Sequence, residues 1–204
     1  MKIDKKYLKA ASTQEHLENI DKLCRGAPKG DFMECGVLRG GTAAILINAA
    51  NCTRNVYLCD TFAGYPKPTE KDSNIDHKPF IPGFGAYPIV VVKARLESFG
   101  LDLDKTEFVQ GYFKDTLPDL MKRIDKLALV NFDGDWYDSV MNAFPHILRK
   151  LVPGGILIIH DYPQFEGMVE SVHKFIKPEH LRKFTSKPGY SGVYYVKEEG
   201  TYVV

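Results

Sequence analysis

The sequence lacks any apolar run that approaches the roughly 18–20 residues a membrane-spanning helix needs. The first twelve residues, MKIDKKYLKAAS, carry lysines but no apolar core, so we expect no secretory signal. Net charge is nearly absent as well, because 27 Lys and Arg residues offset 26 Asp and Glu residues and leave +1. This balance gives no reason to expect a nucleic acid or an anionic membrane as a partner.

Cysteine is scarce, and its four positions show no metal-binding spacing. The residues are Cys24, Cys35, Cys52 and Cys59. Cys35 and Cys59 lie inside apolar, strand-like runs, where cysteine usually acts as a small hydrophobic residue. We therefore expect reduced thiols and a cytoplasmic protein.

No internal repeat, low-complexity tract or linker divides the chain, and its 204 residues fit one domain. Helical and strand-like segments alternate, which is typical of a mostly parallel sheet with helices on both faces. We predict a single α/β domain over residues 1–204, with about seven strands and six helices. Residues 1–30 are expected to form a helical N-terminal segment. Residues 183–185 and 192–196 are expected to close the sheet as an antiparallel hairpin.

Three predicted helices depend on local signals. Residues 13–25 show apolar residues at helical spacing, with Thr13 as the N-cap. Residues 118–124 are predicted to form a short helix with a proline in its first turn, where the missing N–H costs little. Residues 137–151 are predicted to be helical, but kinked or split at Pro145.

One long stretch, residues 62–87, has no regular period. Four prolines and three glycines interrupt it, and five aromatic residues favour a loop that packs on something. A stretch of this length inside a compact domain is typical of a functional loop or a disordered segment. We expect a substrate lid. His77 within it is a candidate base, with a solvated loop histidine as the alternative.

A glycine-rich turn follows the first predicted strand, where residues 34–41 read ECGVLRGG. Glycines there allow positive φ angles, and a ligand at this point meets the N-terminus of the next helix. The spacing is not that of the GxGxxG dinucleotide fingerprint, because Gly36 is followed by Gly40 and Gly41. It resembles motif I of class I methyltransferases, in which Glu34 would lie near the methionine part of S-adenosylmethionine (SAM). A glycine-rich turn without a ligand is the alternative.

Asp60 ends the second predicted strand. An acidic side chain at this place can accept hydrogen bonds from ribose hydroxyls, as in nucleotide-binding α/β folds. The alternative is an aspartate that caps the following turn. The glycine turn and the acid in this order favour a nucleoside cofactor.

Acidic residues also follow the next two buried strands. The segment DGDWYD, residues 133–138, comes directly after the apolar run LALVNF, and Asp161 follows GILIIH. Ligands of open α/β sheets bind at the carboxyl ends of the strands, so we expect these residues to converge. Converging carboxylates repel one another unless a cation or a proton intervenes, and a hard divalent ion suits oxygen ligands. Helix N-caps are the alternative, although they explain only one aspartate per helix.

Five segments together resemble the macrocin O-methyltransferase (TylF/MycF-type) family of SAM-dependent sugar methyltransferases. In chain order they are Asp31–Gly41, Asp60–Pro68, Gly111–Pro118, Leu129–Ser139 and Val152–Tyr162. The resemblance implies a Rossmann-like class I methyltransferase fold. It also implies metal-dependent transfer of a methyl group from SAM to a hydroxyl of a sugar or another small-molecule diol. A catechol-type methyltransferase and a non-catalytic SAM-binding protein are the alternatives, and a homo-oligomer stays open beside a monomer.

The resemblance assigns roles to individual residues. The cofactor-binding residues would be Glu34, Gly36, Arg39, Gly40, Gly41, Asp60, Thr61, Gly111, Tyr112 and Phe113. Asp133 matches a metal-ligating aspartate and Asp135 the general base. His160 and Asp161 fall where the family has two metal-ligating aspartates, so His160 departs from the pattern. An imidazole ligand would favour a manganese-like transition metal over Mg²⁺. The alternative is that His160 turns away and leaves Mg²⁺ on the two aspartates.

Overall fold

The computed structural model describes residues 13–72, 81–185 and 192–200 of the chain. Within these ranges, six α-helices and seven strands alternate in one α/β domain, as the sequence predicts. His77, the candidate base in the 62–87 loop, lies outside the described residues. None of the helices in these ranges is long and apolar enough to cross a membrane.

The helices and strands have the following bounds. The helices are α1 Gln14–Gly26, α2 Gly41–Ala50, α3 Ile89–Ser98, α4 Phe113–Arg123, α5 Tyr137–Lys150 and α6 Glu166–His173. The strands are β1 Asp31–Cys35, β2 Val56–Asp60, β3 Thr106–Gln110, β4 Leu127–Phe132, β5 Leu151–His160, β6 Arg182–Thr185 and β7 Gly192–Val196. Two short 3₁₀ helices, Glu70–Asp72 and Pro178–His180, lie in the connections. Thr13 caps α1 as predicted, since its hydroxyl accepts a hydrogen bond from the His16 N–H at 3.3 Å.

The seven strands form one sheet in the order β3-β2-β1-β4-β5-β7-β6. Strands β1 to β5 pair in parallel, whereas β7 runs antiparallel to β5 and to β6, so the predicted closing hairpin is present. The chain order reverses between β1 and β4. Ligands of open α/β sheets bind in the crevice at such a reversal, beyond the carboxyl ends of the strands.

Two apolar clusters hold the helices against the sheet. One lies between the sheet and α4, α5 and α6, and the other lies between the sheet and α1, α2 and α3. Successive strand residues point to opposite faces, so Leu157 of β5 joins the first cluster and Ile158 the second. Strand β4 is buried at every position because both faces of the sheet are covered.

Two prolines lie inside helices: Pro118, which was predicted in a first turn, and Pro145, which was predicted to kink or split its helix. Helix α4 begins at Phe113, so Pro118 lies inside the helix and not in its first turn. Helix α5 continues through Pro145 without a break. The neighbouring side chains of Leu117 and Phe144 are fully buried in the same apolar cluster. This packing outweighs the hydrogen bond that each proline removes.

Val140→Ala should lower the free energy of unfolding by about 2 kcal/mol, because Val140 on α5 is fully buried and the core closes only partly over the lost methyl groups. Val90→Ala on α3 is the matched control. It removes the same atoms from a helical side chain that is 72% exposed, so we expect a change within about 0.5 kcal/mol. Urea unfolding followed by circular dichroism measures both variants. Equal losses would contradict the packing of α5 on the sheet.

Candidate functional site

A cavity of about 430 Å³ opens beyond the carboxyl ends of β1, β2, β3 and β4. The predicted site residues that line it are Gly36, Asp60, Thr61, Gly111, Tyr112, Phe113 and Asp133. Side chains that the sequence did not single out as site residues line it too, among them Tyr65, Phe84 and Trp136. The aromatic content of the 62–87 loop was the only signal in the sequence that pointed to Tyr65 and Phe84.

The glycines of the first turn are required where chain segments pass close to one another. Gly36 has φ 89°, and a Cβ there would lie 2.0 Å from the carbonyl oxygen of Asp133. Gly40 has φ 77°, and its Cβ would lie 3.1 Å from Val92 Cγ1 on α3. Gly41 begins α2. The turn therefore brings the backbone after β1 against the end of β4, whereas Gly40 and Gly41 are not among the residues that line the cavity.

Asp60 connects two loops at the edge of the cavity. One carboxylate oxygen, Oδ2, accepts hydrogen bonds from the N–H groups of Val37 at 2.6 Å and Leu38 at 3.3 Å. The other, Oδ1, accepts from the N–H of Phe62 at 2.7 Å. The structure thus contains the capping role that the sequence left as an alternative. Asp60 also lines the cavity, so a ribose contact stays a prediction.

Arg39 and Thr61 contact the 62–87 loop. The guanidinium Nε of Arg39 donates to the Tyr87 hydroxyl at 2.5 Å, and the group lies 5.0 Å from the centre of that ring. The Thr61 hydroxyl donates to the carbonyl of Gly64 at 2.8 Å. Arg39 therefore holds the C-terminal end of the loop through Tyr87. It is not among the residues that line the cavity.

Three carboxylates converge beside the cavity, as the sequence predicted for this edge of the sheet. Asp133, Asp135 and Asp161 each offer an oxygen atom, and these atoms lie within 4.8 Å of one another. Burial raises the pKa of Asp135 to about 6 and that of Asp161 to about 7, and burial with the neighbouring charges raises the pKa of Asp133 well above its usual range. Such a group is suited to hold a cation or a proton.

Asp135 is held in an unusual position. Its φ is 52°, and its Oδ2 accepts a hydrogen bond from the Tyr65 hydroxyl at 2.7 Å. Its other oxygen, Oδ1, is buried and has no hydrogen-bond partner among the described residues. Non-glycine residues adopt positive φ mainly where the surrounding structure imposes it, and functional sites are enriched in such residues.

The structure corrects the expectation for His160, which does not join the aspartates. Its Nε2 lies 2.6 Å from Asn131 Oδ1, and its ring centre lies 4.8 Å from that of His16 on α1. His160 is the last residue of β5, and it points to the face of the sheet opposite to Ile159. Asp161 leaves the strand with φ 55°. Burial lowers the pKa of His160 to about 3, so the imidazole is neutral.

Glu34 lies in the same buried polar network and not in the cavity wall. Its Oε1 accepts hydrogen bonds from the Thr42 hydroxyl and from Asn131 Nδ2, the latter at 2.8 Å. Its Oε2 has no hydrogen-bond partner among the residues that the structure describes. Burial raises the pKa of Glu34 to about 8, so this acid is neutral at pH 7. The network joins β1, β4, β5 and α2 beneath the turn that follows β1.

The first half of the 62–87 loop is anchored to the domain. Asp72 in the 3₁₀ helix Glu70–Asp72 is buried, and its Oδ1 accepts a hydrogen bond from the N–H of Tyr137 at 2.9 Å, at the start of α5. Lys71 forms an ion pair with Glu170 on α6 at 2.9 Å. No local pattern in the sequence indicated these contacts, because each joins residues distant in the chain.

The strand order, the antiparallel β7 and the cavity at the reversal between β1 and β4 define a class I methyltransferase fold. Within that class, the chain belongs to the family described as Macrocin-O-methyltransferase (TylF), whose model matches residues 10–197. The resemblance found in the five segments is thereby confirmed.

Individual relatives and a solved structure agree with this assignment. The chain is 34% identical over 160 residues to the 8-demethyl-8-(2,3-dimethoxy-alpha-L-rhamnosyl)-tetracenomycin-C 4'-O-methyltransferase of Streptomyces olivaceus, over 75% of this chain and 60% of that protein. It is 30% identical over 165 residues to the mycinamicin III 3''-O-methyltransferase of Micromonospora griseorubida, over 76% and 64%. The O-methyltransferase NovP superposes with a TM-score of 0.77 at 27% identity, over 91% of this chain and 81% of NovP. The chain spans less than two thirds of the length of these two curated relatives.

Gly36→Ala should destabilise the fold more than a positive φ alone explains, because the new Cβ would lie 2.0 Å from the Asp133 carbonyl oxygen. Gly100→Ala is the matched control, since Gly100 has φ 77° with open space around it. We expect a loss of about 1–2 kcal/mol for the control and a further 1–3 kcal/mol for Gly36→Ala. Urea unfolding measures both. Equal losses would show that the turn after β1 does not pass as close to β4 as the structure places it.

Glu34→Gln should remove a dependence of stability on pH. The folded protein holds the Glu34 proton with a pKa of about 8, against 4.5 for an ordinary glutamate, so ionisation of the unfolded chain lowers stability as pH rises from about 4.5 to about 8. Glutamine keeps the Oε1 acceptor and has no proton to lose. The unfolding constant of the wild type, relative to that of the variant, should therefore rise roughly tenfold or more across this window.

Urea unfolding at pH 5, 6, 7 and 8 measures this effect. Glu97→Gln on the exposed face of α3 is the control, and its stability should follow the wild type at each pH. Parallel curves for Glu34→Gln and the wild type would show that Glu34 is ionised in the folded protein.

Proposed function

We propose that this protein is a SAM-dependent O-methyltransferase that methylates a hydroxyl of a sugar or another small-molecule diol with the help of a divalent metal. The observation that carries the proposal is the group of three aspartates beside a cavity at the carboxyl edge of a methyltransferase sheet. Family membership supports it, and one relative is named for a substrate with a rhamnosyl group.

The cavity is the proposed SAM site. Gly36, Asp60 and the residues after β3 line it, at the place where α/β folds bind nucleosides. Two solved structures share this fold: an O-methyltransferase from Bacillus cereus in complex with SAH, at TM-score 0.60, and TomG from Streptomyces achromogenes in complex with SAM, at 0.63. At 16% identity these two structures support the fold alone, so the cofactor site in this chain is our proposal.

Asp133 and Asp161 are the proposed metal ligands, with Asp135 beside them. Their raised pKa values fit this role, because three carboxylates this close together, away from bulk water, stay ionised together only when a positive charge compensates them. A divalent ion bound there would polarise the acceptor hydroxyl and orient its neighbour. Because His160 lies on the other face of the sheet, only oxygen ligands remain, and these suit Mg²⁺ as well as Mn²⁺. The preference for a transition metal, which required an imidazole ligand, is therefore no longer expected.

Asp135 is the proposed general base. It lies next to the cavity, and burial raises its pKa to about 6, close to the pH at which it would have to accept a proton. The 62–87 loop would close over the acceptor and exclude water. The cavity would hold the methyl group of SAM in line with the acceptor oxygen, and much of the acceleration would come from that positioning. His77 stays the second candidate base.

Transfer of label from methyl-labelled SAM to a panel of sugar diols, glycosides and catechols tests the proposal. We expect label in a sugar acceptor, loss of transfer with EDTA, and recovery with Mg²⁺ or Mn²⁺. Asp133→Asn should lower turnover by about 10²-fold or more while SAH affinity stays near that of the wild type, because the substitution removes a metal ligand. Asp104→Asn in an exposed loop is the control.

Each alternative has its own outcome in this experiment. Label in catechols alone would identify a catechol-type enzyme. SAH binding without transfer to any acceptor would identify a non-catalytic SAM-binding protein. Full activity in EDTA would remove the metal from the mechanism.

A further inference from the structure

Phe84 is a large apolar residue that stays half exposed although it lines the cavity. The residue is 49% exposed. Phe62, in the same 62–87 loop, is only 4% exposed and packs on Phe108 of β3 with ring centres 6.1 Å apart. Burial of an aromatic ring is favourable, so a ring left open in a cavity offers an apolar surface that a bound ligand can cover.

The Phe84 ring ends a row of three aromatic rings, Phe84, Tyr65 and Trp136, which we call the aromatic row. Phe84 lies nearly parallel to Tyr65, with an interplanar angle of 6° and ring centres 6.4 Å apart. Tyr65 in turn meets Trp136 edge to face at 5.5 Å. Trp136 is 2% exposed and packs on Phe165 at 6.2 Å, so the row is fixed at a buried end. The N–H of Tyr65 also donates to the Phe84 carbonyl at 2.9 Å.

The face of the Phe84 ring is not covered by its neighbour. Carbon atoms in van der Waals contact lie about 3.5–4.0 Å apart, so a parallel ring whose centre is 6.4 Å away cannot cover the whole face of Phe84. The faces of an aromatic ring carry partial negative charge. The open face of Phe84 therefore suits a ligand that presents apolar, slightly positive C–H groups on one side.

The aromatic row also reaches the acidic group. The Tyr65 hydroxyl donates to Oδ2 of Asp135 at 2.7 Å. Asp135 belongs to the group of three aspartates whose oxygen atoms lie within 4.8 Å of one another. All three rings of the row line the cavity. Carboxylate oxygens and an open aromatic face thus lie at opposite ends of one row.

We propose that Phe84 is an acceptor-binding residue, on which the C–H face of the acceptor's sugar ring packs while two of its hydroxyls lie at the acidic group. A sugar ring fits this arrangement because it carries hydroxyls at its edge and C–H groups on its faces. This inference rests on the proposed function, because it assigns a residue that binds the acceptor of that reaction.

Three substitutions separate the aromatic face of Phe84 from its bulk. Phe84→Leu keeps an apolar side chain but removes the ring, Phe84→Ala removes both, and Phe84→Tyr keeps the ring. Ile81→Ala is the matched control, since Ile81 is 62% exposed in the same loop and is not among the residues that line the cavity. Both positions are exposed, so urea unfolding of every variant should follow that of the wild type.

Steady-state kinetics gives the first readout, with the sugar glycoside that takes up most label in the acceptor panel. We expect Phe84→Leu and Phe84→Ala to raise the KM of this glycoside by about 10-fold, because the stacking surface is lost. Their kcat should stay within about twofold, because the ring contacts the acceptor equally before and during transfer. Phe84→Tyr and Ile81→Ala should retain the KM of the wild type.

Calorimetry gives a second readout that does not depend on turnover. The same glycoside, titrated into the complex with SAH, should bind about 10-fold more weakly to Phe84→Leu than to the wild type or to Phe84→Tyr. SAH alone should bind to all of these proteins with the same affinity, because the contact concerns the acceptor and not the cofactor.

The outcomes that overturn the inference are distinct from failure of the proposed function. Unchanged glycoside binding in Phe84→Leu and Phe84→Ala, or an equal loss in Ile81→Ala, would refute the contact while the enzyme itself stays active. Weaker binding of SAH to Phe84→Leu would assign the ring to the cofactor instead, and would refute it as well. If the wild type transfers label to no sugar acceptor, the proposed function fails, and the assignment of Phe84 fails with it.

Discussion

The backbone after β1 and the end of β4 meet at Gly36 and Asp133, where no side chain larger than hydrogen fits on the first residue. The N–H of Asp133 donates to the Cys35 carbonyl at 2.7 Å, and the N–H of Gly36 donates to that of Cys59 at 2.9 Å. These contacts hold the ends of β1, β2 and β4 in one crevice. The cavity, the turn into α2 and the first carboxylate of the acidic group all depend on this close approach.

Burial and charge also determine the protonation of the acidic group and of the polar residues near it. Asp135 is buried, and Asp133 and Asp161 lie partly buried beside it. Removal from water raises the pKa of all three, and repulsion from the neighbouring carboxylates raises those of Asp133 and Asp161 further. Tyr65 supplies a neutral donor to one of their oxygens. A cation at this place would return the group to its ionised form. On the other face of the sheet, Glu34 and His160 are kept neutral by the same burial.

Contacts attach both ends of the 62–87 loop to the rest of the domain. Asp72 holds it to the start of α5, Lys71 pairs with α6, and Tyr65 pairs with Phe84 across the loop. The ring of Tyr65 also forms part of the cavity wall. The described ends of the loop therefore contact both the helices and the cavity wall.

The sequence by itself determined the alternation of helices and strands, the Gly36 turn and the aspartates after β4 and β5, because these features are local or periodic. The two-residue period of β5 also places the His160 side chain on the face opposite to Ile159, although the neighbouring Asp161 had suggested a shared metal site. Tertiary structure alone decided which side chains meet. Packing carries α4 and α5 through their prolines, and the Tyr65–Asp135 bond joins residues 70 positions apart. No local pattern encodes such a contact, since it forms only after the sheet and loop have come together.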